Sequence, residues 1–141
     1  MTFYIDTSVV VPLFVDERHT RAAVAWMEHR PSFCIGRLTL AEAGSAISRL
    51  RRMDRMDDAT ATQTLDLLDG WLAGGLTIIE HTPEDFIQAA ALVRSPRPKL
   101  LSPDALHLAT SLRLGATLVT FDNPLAEVCR LRGGTPLVPA S

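Results

Sequence analysis

The stretch SPDALHLATSLRLGATLVTFD, residues 102–122, decides the reading of the whole chain, because it spells a helix, a turn and a strand with a carboxylate near each end. Ser102 can cap a helix start, Pro103 suits the first helical position, where its missing N–H is not needed, and Asp104 follows beside the positive end of the helix dipole. Ala105, Leu108, Ala109 and Leu112 recur at helical spacing, and Gly115 can take the left-handed conformation that ends a helix. Leu118, Val119, Thr120 and Phe121 lack polar alternation, as expected of a parallel strand covered on both faces, and the run stops at Asp122. In an open α/β sheet a helix begins near the edge where the preceding strand ended, and ligands bind there. Asp104 and Asp122 are expected to share that edge.

Working outward, residues 2–5 read as a short buried strand ending at Asp6, with Thr7 or Ser8 offering a cap to a helix that Pro12 keeps short or irregular. An Ala-rich helix over residues 20–30 and a strand at 33–35 follow, and the next helix starts near Thr39 with an apolar stripe of Leu40, Ala43, Ile47 and Leu50. Glu42 falls in its first turn, about 100° from Ala43, bordering the core. Residues 39–72 read as a helical hairpin with an arginine-rich bend, closed by Gly74 and Gly75. A third strand at 76–79 leads to a helix start at Thr82, Pro83 and Asp85 with a capping pattern, then a loop at 95–99. Pro124 opens a last helix, and residues 135–138 read as an edge strand.

The chain has 141 residues, 47% hydrophobic and 21% charged, which fits one globular domain over residues 1–141 with a substantial core. The apolar run at 9–15 is short, broken by Pro12 and preceded by no basic segment, so a soluble, cytoplasmic protein without signal peptide or membrane partner is expected. Cys34 and Cys129 have no CxxC spacing, which argues against a zinc site or disulfide framework. A net charge of −2 excludes a strongly basic body that would hold nucleic acid by overall field, so any such contact must be local.

Four carboxylates are thus expected on one edge: Asp6 and Asp122 after strands, Glu42 and Asp104 in the first turns of helices that follow strands. Like charges brought close raise one another's pKa or recruit a cation, and hard oxygen ligands suit Mg²⁺ or Mn²⁺. The expectation is an acidic divalent-metal site. Capping accounts for acidic residues at such positions too, and for Glu80, Glu84 and Asp85, which the same rule places on this edge, capping is the preferred reading.

Taken together, DTS at residues 6–8, the glutamate at 42, PDALHLA at 103–109 and TFD at 120–122 resemble the PIN-domain ribonucleases, in particular the VapC toxins of bacterial and archaeal toxin–antitoxin pairs. The resemblance covers nearly the whole chain. It implies a three-layer α/β/α sandwich with a mainly parallel sheet, and Mg²⁺- or Mn²⁺-dependent cleavage of RNA at a pocket of Asp6, Glu42, Asp104 and Asp122. Asp6 and Asp104 would be the main metal ligands, Asp122 would complete the site, and Glu42 would bind a second metal or orient water. Thr7, Ser8 and Thr120 would be hydroxyl partners of these groups. The resemblance also implies a homodimer and a VapB-like antitoxin whose basic arm enters the pocket.

Lys99 is the only lysine, and guanidinium groups bind phosphate bidentately and stack on bases, so Arg49, Arg51, Arg52, Arg55, Arg97 and Lys99 are candidate RNA contacts. Arg49 lies on the same helix face as Glu42, about 10 Å along the axis. His107, one turn after Asp104, reads as a structural hydrogen-bonding residue, and His19, His29 and His81 as surface or loop residues. Two rival readings are a phosphotransfer protein using Asp6 and a non-catalytic module whose acidic edge receives a basic segment. The first lacks a second aspartate two residues after Asp6, where Ser8 stands.

Overall fold

The computed structural model describes residues 2–140, in which alternation along three short strands sorts the core into two halves. Tyr4, Cys34 and Leu118 point to one face of the sheet and Ile5, Ile35 and Val119 to the other, as the period of two in a strand requires. The strands are β1 (Phe3–Ile5), β2 (Phe33–Gly36), β3 (Thr77–Ile79), β4 (Thr117–Val119) and β5 (Pro136–Leu137). All pair in parallel in the order β3-β2-β1-β4-β5. The helices are α1 (Thr7–Val10), α2 (Thr20–Glu28), α3 (Leu38–Arg52), α4 (Asp58–Leu72), α5 (Pro83–Leu92), α6 (Ser102–Leu114) and α7 (Asn123–Leu131). Buried residues of α5, α6 and α7 pack with Tyr4 and Leu118, and those of α1 to α4 with Ile5 and Val119. The result is the three-layer α/β/α sandwich, with α3 and α4 as its helical hairpin.

Strand order reverses between β1 and β4, and the crevice outside the carboxyl ends of two such strands is where ligands bind in open α/β sheets. The ladder runs one step past both strands there: the Asp6 N–H donates to the Val119 carbonyl at 3.1 Å and the Thr120 N–H to the Leu137 carbonyl at 3.0 Å. Asp6 and Thr120 therefore leave the sheet side by side.

Several local expectations are corrected. Asp6, not Thr7 or Ser8, caps α1 by accepting the Ser8 N–H, and the short helix passes into a 3-10 turn at Val11–Leu13 that accommodates Pro12. Ser102 is the first residue of α6 and caps nothing, because Leu101 holds the capping position. Starting at Leu38, α3 puts Glu42 beyond its first turn. Helix α6 follows α5 and a loop, not a strand, so Asp104 reaches the edge by the return of that loop. Strand β4 ends at Val119, leaving Thr120 and Phe121 outside it.

Candidate active site

Asp6 is 2% exposed at the end of the central strand, and both of its oxygens are engaged. Oδ1 accepts from the Ser8 hydroxyl (2.5 Å) and the Ser8 N–H (3.1 Å), and Oδ2 accepts from the Thr120 hydroxyl (2.7 Å). Ser8 Oγ in turn accepts the Phe121 N–H at 2.9 Å, which ties the turn after β1 to the turn after β4. Burial raises the Asp6 pKa, against the opposing effect of the hydrogen bonds from Ser8 and Thr120.

Glu42 is held differently. Thr7 Oγ1 donates to its Oε1 at 2.7 Å, and the His107 Nε2–H donates to the same oxygen at 2.5 Å. His107 is 1% exposed, and its Nδ1 lies 2.6 Å from the Tyr4 hydroxyl, so a chain Tyr4–His107–Glu42 crosses from the core to the edge. Burial alone would raise the Glu42 pKa; the bonds from His107 and Thr7 outweigh it and hold the group below its ordinary value. Thr7 thus serves Glu42, whereas Ser8 and Thr120 serve Asp6.

Asp104 stands half-buried in the first turn of α6, and its carboxylate makes no hydrogen bond or ion pair among the described residues. Its pKa is pushed up to about 6, first by burial and then by the charges of Asp122, Asp6 and Glu42. Asp122 caps α7, its side chain accepting the Leu125 N–H at 3.0 Å, and its own N–H donates to Thr120 Oγ1 at 3.0 Å. The four carboxylates are therefore coupled through space. No arginine or lysine pairs with Asp6, Asp104 or Asp122 among the described residues. Nor, among those residues, do three carboxylate, imidazole or thiolate groups converge around one point as a formed ligand set. The donors fit a hard divalent cation in kind, being carboxylates whose charges repel one another at Asp104.

Of the other acidic residues expected to cap at this edge, Asp85 does so, completing a capping box with Thr82 while receiving two bonds from Arg113, at 2.8 and 3.0 Å. Glu84 stands in the first turn of α5, and Glu80 caps nothing, because its carboxylate pairs with Arg37 instead. His81 is a loop residue before α5, half-buried and bonded at both ring nitrogens: its Nε2 accepts the Leu38 N–H at 3.0 Å, so Nδ1 carries the proton and donates to Thr110 Oγ1 at 2.8 Å. Thr110 passes the chain to Asp85. Arg49 shares a groove with Glu42 and Pro103, while Arg51 faces Asp58 across 3.9 Å at the hairpin bend. Arg52, Arg55, Arg97 and Lys99 are exposed and make no ion pair among the described residues. No described helix is long and apolar enough to cross a membrane.

The PIN domain family matches residues 3–131 of the sequence. No curated protein matches it significantly. Among solved structures, VapBC2 of Rickettsia felis bound to a promoter DNA fragment superposes with a TM-score of 0.71 at 17% identity, covering 99% of this chain and 100% of that one. Mycobacterium tuberculosis VapC20, described as a sarcin–ricin loop cleaving toxin, gives 0.71 at 19%, covering 89% and 94%. A Pyrobaculum aerophilum protein gives 0.65 at 25%, covering 96% and 92%.

Proposed function

The chain belongs to the PIN domain family, and on that premise we propose that it is the nuclease toxin of a toxin–antitoxin pair, cutting RNA internally with Mg²⁺ or Mn²⁺. The carrying observation is Asp104: an unpartnered carboxylate raised to about 6 by burial and by three neighbouring carboxylates. Among the described residues no arginine or lysine pairs with Asp6, Asp104 or Asp122 to offset that charge.

Asp6, Asp104 and Asp122 would hold the ion, with Glu42 holding a second or orienting water. When bound, the metal supplies charge neutralisation at the phosphodiester and an activated water. The chain's own part is positional. Ser8 and Thr120 fix Asp6, the Leu125 N–H fixes Asp122, and Thr7 and His107 fix Glu42. Arg49, beside Glu42, and the exposed Arg51, Arg52, Arg55, Arg97 and Lys99 would meet the RNA backbone. The similar structures include toxins crystallised with antitoxins, which supports a VapB-like partner, and a homodimer belongs to the same reading.

The phosphotransfer alternative is weaker, since Asp6 is buried with both oxygens already accepting bonds, a poor posture for a phosphoryl acceptor. Cleavage of single-stranded RNA by the purified chain with and without Mg²⁺ tests the proposal. Asp6→Ala and Asp104→Ala should each abolish metal-dependent cleavage while remaining folded; undiminished cleavage by both would reject it.

A further inference from the structure

A cleft of about 620 Å³ opens from Ser8 and Asp122 of the proposed site and extends past it to Glu17, His19 and Phe121, to which no role has been given above. Its wall is aromatic. The His19 imidazole stacks on the Phe121 ring, with centroids 4.3 Å apart and planes 10° from parallel. Phe121 is the residue between Thr120, which binds Asp6, and Asp122. The stack is therefore attached directly to the catalytic edge.

The segment presenting His19 is braced. The His19 N–H donates to Glu17 Oε1 (2.9 Å), the Glu17 N–H to Thr20 Oγ1 (3.0 Å), and Thr20 Oγ1 to the Val15 carbonyl (2.9 Å). Arg18 Nε–H donates to His19 Nε2 at 3.0 Å, so in this arrangement Nδ1 carries the imidazole proton. That N–H makes no hydrogen bond among the described residues, and the ring is half-buried where it borders the cleft. A flat, braced imidazole beside carboxylates that would act on a phosphodiester matches an unpaired base, since aromatic and histidine planes stack bases.

We propose that this cleft binds one nucleobase of single-stranded RNA, packed against the His19–Phe121 stack, next to the phosphodiester that is cut. Arg18, exposed beside the ring, is placed to meet the adjoining phosphate. The inference rests on the nuclease reading and adds to it where the substrate strand lies.

The test uses a short single-stranded oligoribonucleotide carrying one 2-aminopurine, with the full chain bearing Asp104→Asn so that it binds without cutting. Stacking quenches 2-aminopurine. Adding His19→Ala should weaken binding about tenfold and abolish the quench, and His19→Phe, which keeps the plane, should restore both. Thermal melting of each variant separates lost stacking from lost folding. Binding within twofold for His19→Ala, no rescue by His19→Phe, or an effect of His19→Ala on a basic peptide but not on the RNA would overturn the proposal. Failure of the nuclease reading shows separately, as absence of metal-dependent cleavage by the unsubstituted chain.

Discussion

His107 Nε2 lies 2.5 Å from Glu42 Oε1, joining residues 65 apart in sequence across the open edge of the sheet. On the far side of the imidazole stands Tyr4, the central-strand residue two before Asp6, so the position of Glu42 is set from inside the core. Removing His107 should leave the buried Tyr4 hydroxyl without its partner, destabilising the fold by about 1–3 kcal/mol. The Glu42 pKa is depressed in the folded state, so its stabilising contribution is present above the unfolded value and lost as pH falls through the folded one. His107→Leu should flatten that acid-side loss. Denaturant unfolding at a series of acidic pH values measures both effects.

Asp104 has the opposite sign. Its folded pKa is about 6 against an ordinary 3.8, so across that interval the folded chain holds more protons than the unfolded one and stability falls as pH rises. Asp104→Asn should raise Tm by a few degrees at pH above that window and leave it nearly unchanged at the acid end. Equal shifts at both ends would contradict the pKa shift.

Gly36 keeps the internal hydrogen-bond chains in register. A Cβ there would stand 2.2 Å from the Tyr4 hydroxyl oxygen and 2.5 Å from His81 Cε1. Gly36→Ala should therefore displace both side chains and cost about 1–3 kcal/mol in equilibrium unfolding. The same substitution at Gly44, whose added Cβ meets nothing within 4 Å, should have little steric effect.

Ser8 and Thr120 lower the pKa of a carboxylate that burial raises. Thr120→Val removes one of these donors at nearly constant shape, so the Asp6 pKa should rise further. In pH–rate profiles of RNA cleavage the acid limb should move to higher pH, and Asp6→Asn on the same background should abolish cleavage. An acid limb that stays in place would separate Asp6 ionisation from the rate.

Much of the layout was legible because it is written in short-range patterns. Unalternating apolar runs marked the strands, and the capping box at Thr82 and Asp85 appears as read. The details that short-range pattern leaves open depend on partners distant in sequence or on which of two adjacent residues caps. Nothing local to His81 announces Leu38 and Thr110, 43 and 29 residues away. Nothing near Thr7 says that its hydroxyl turns to Glu42 while the next residue turns to Asp6. Asp104 stands on the expected helix but not by the expected route, since α6 follows α5 and a loop where the edge rule requires a preceding strand. The His19–Phe121 stack joins residues about a hundred apart and left no local signal.

Mn²⁺ binding measured by electron paramagnetic resonance, on the chain and on Asp104→Ala, tests most directly whether the carboxylates act as one cation site. Saturable binding by the chain at pH above 6, lost in Asp104→Ala and accompanied by a rise in Tm, is the expected result. Absence of saturable binding, or equal binding by the two proteins, would contradict it.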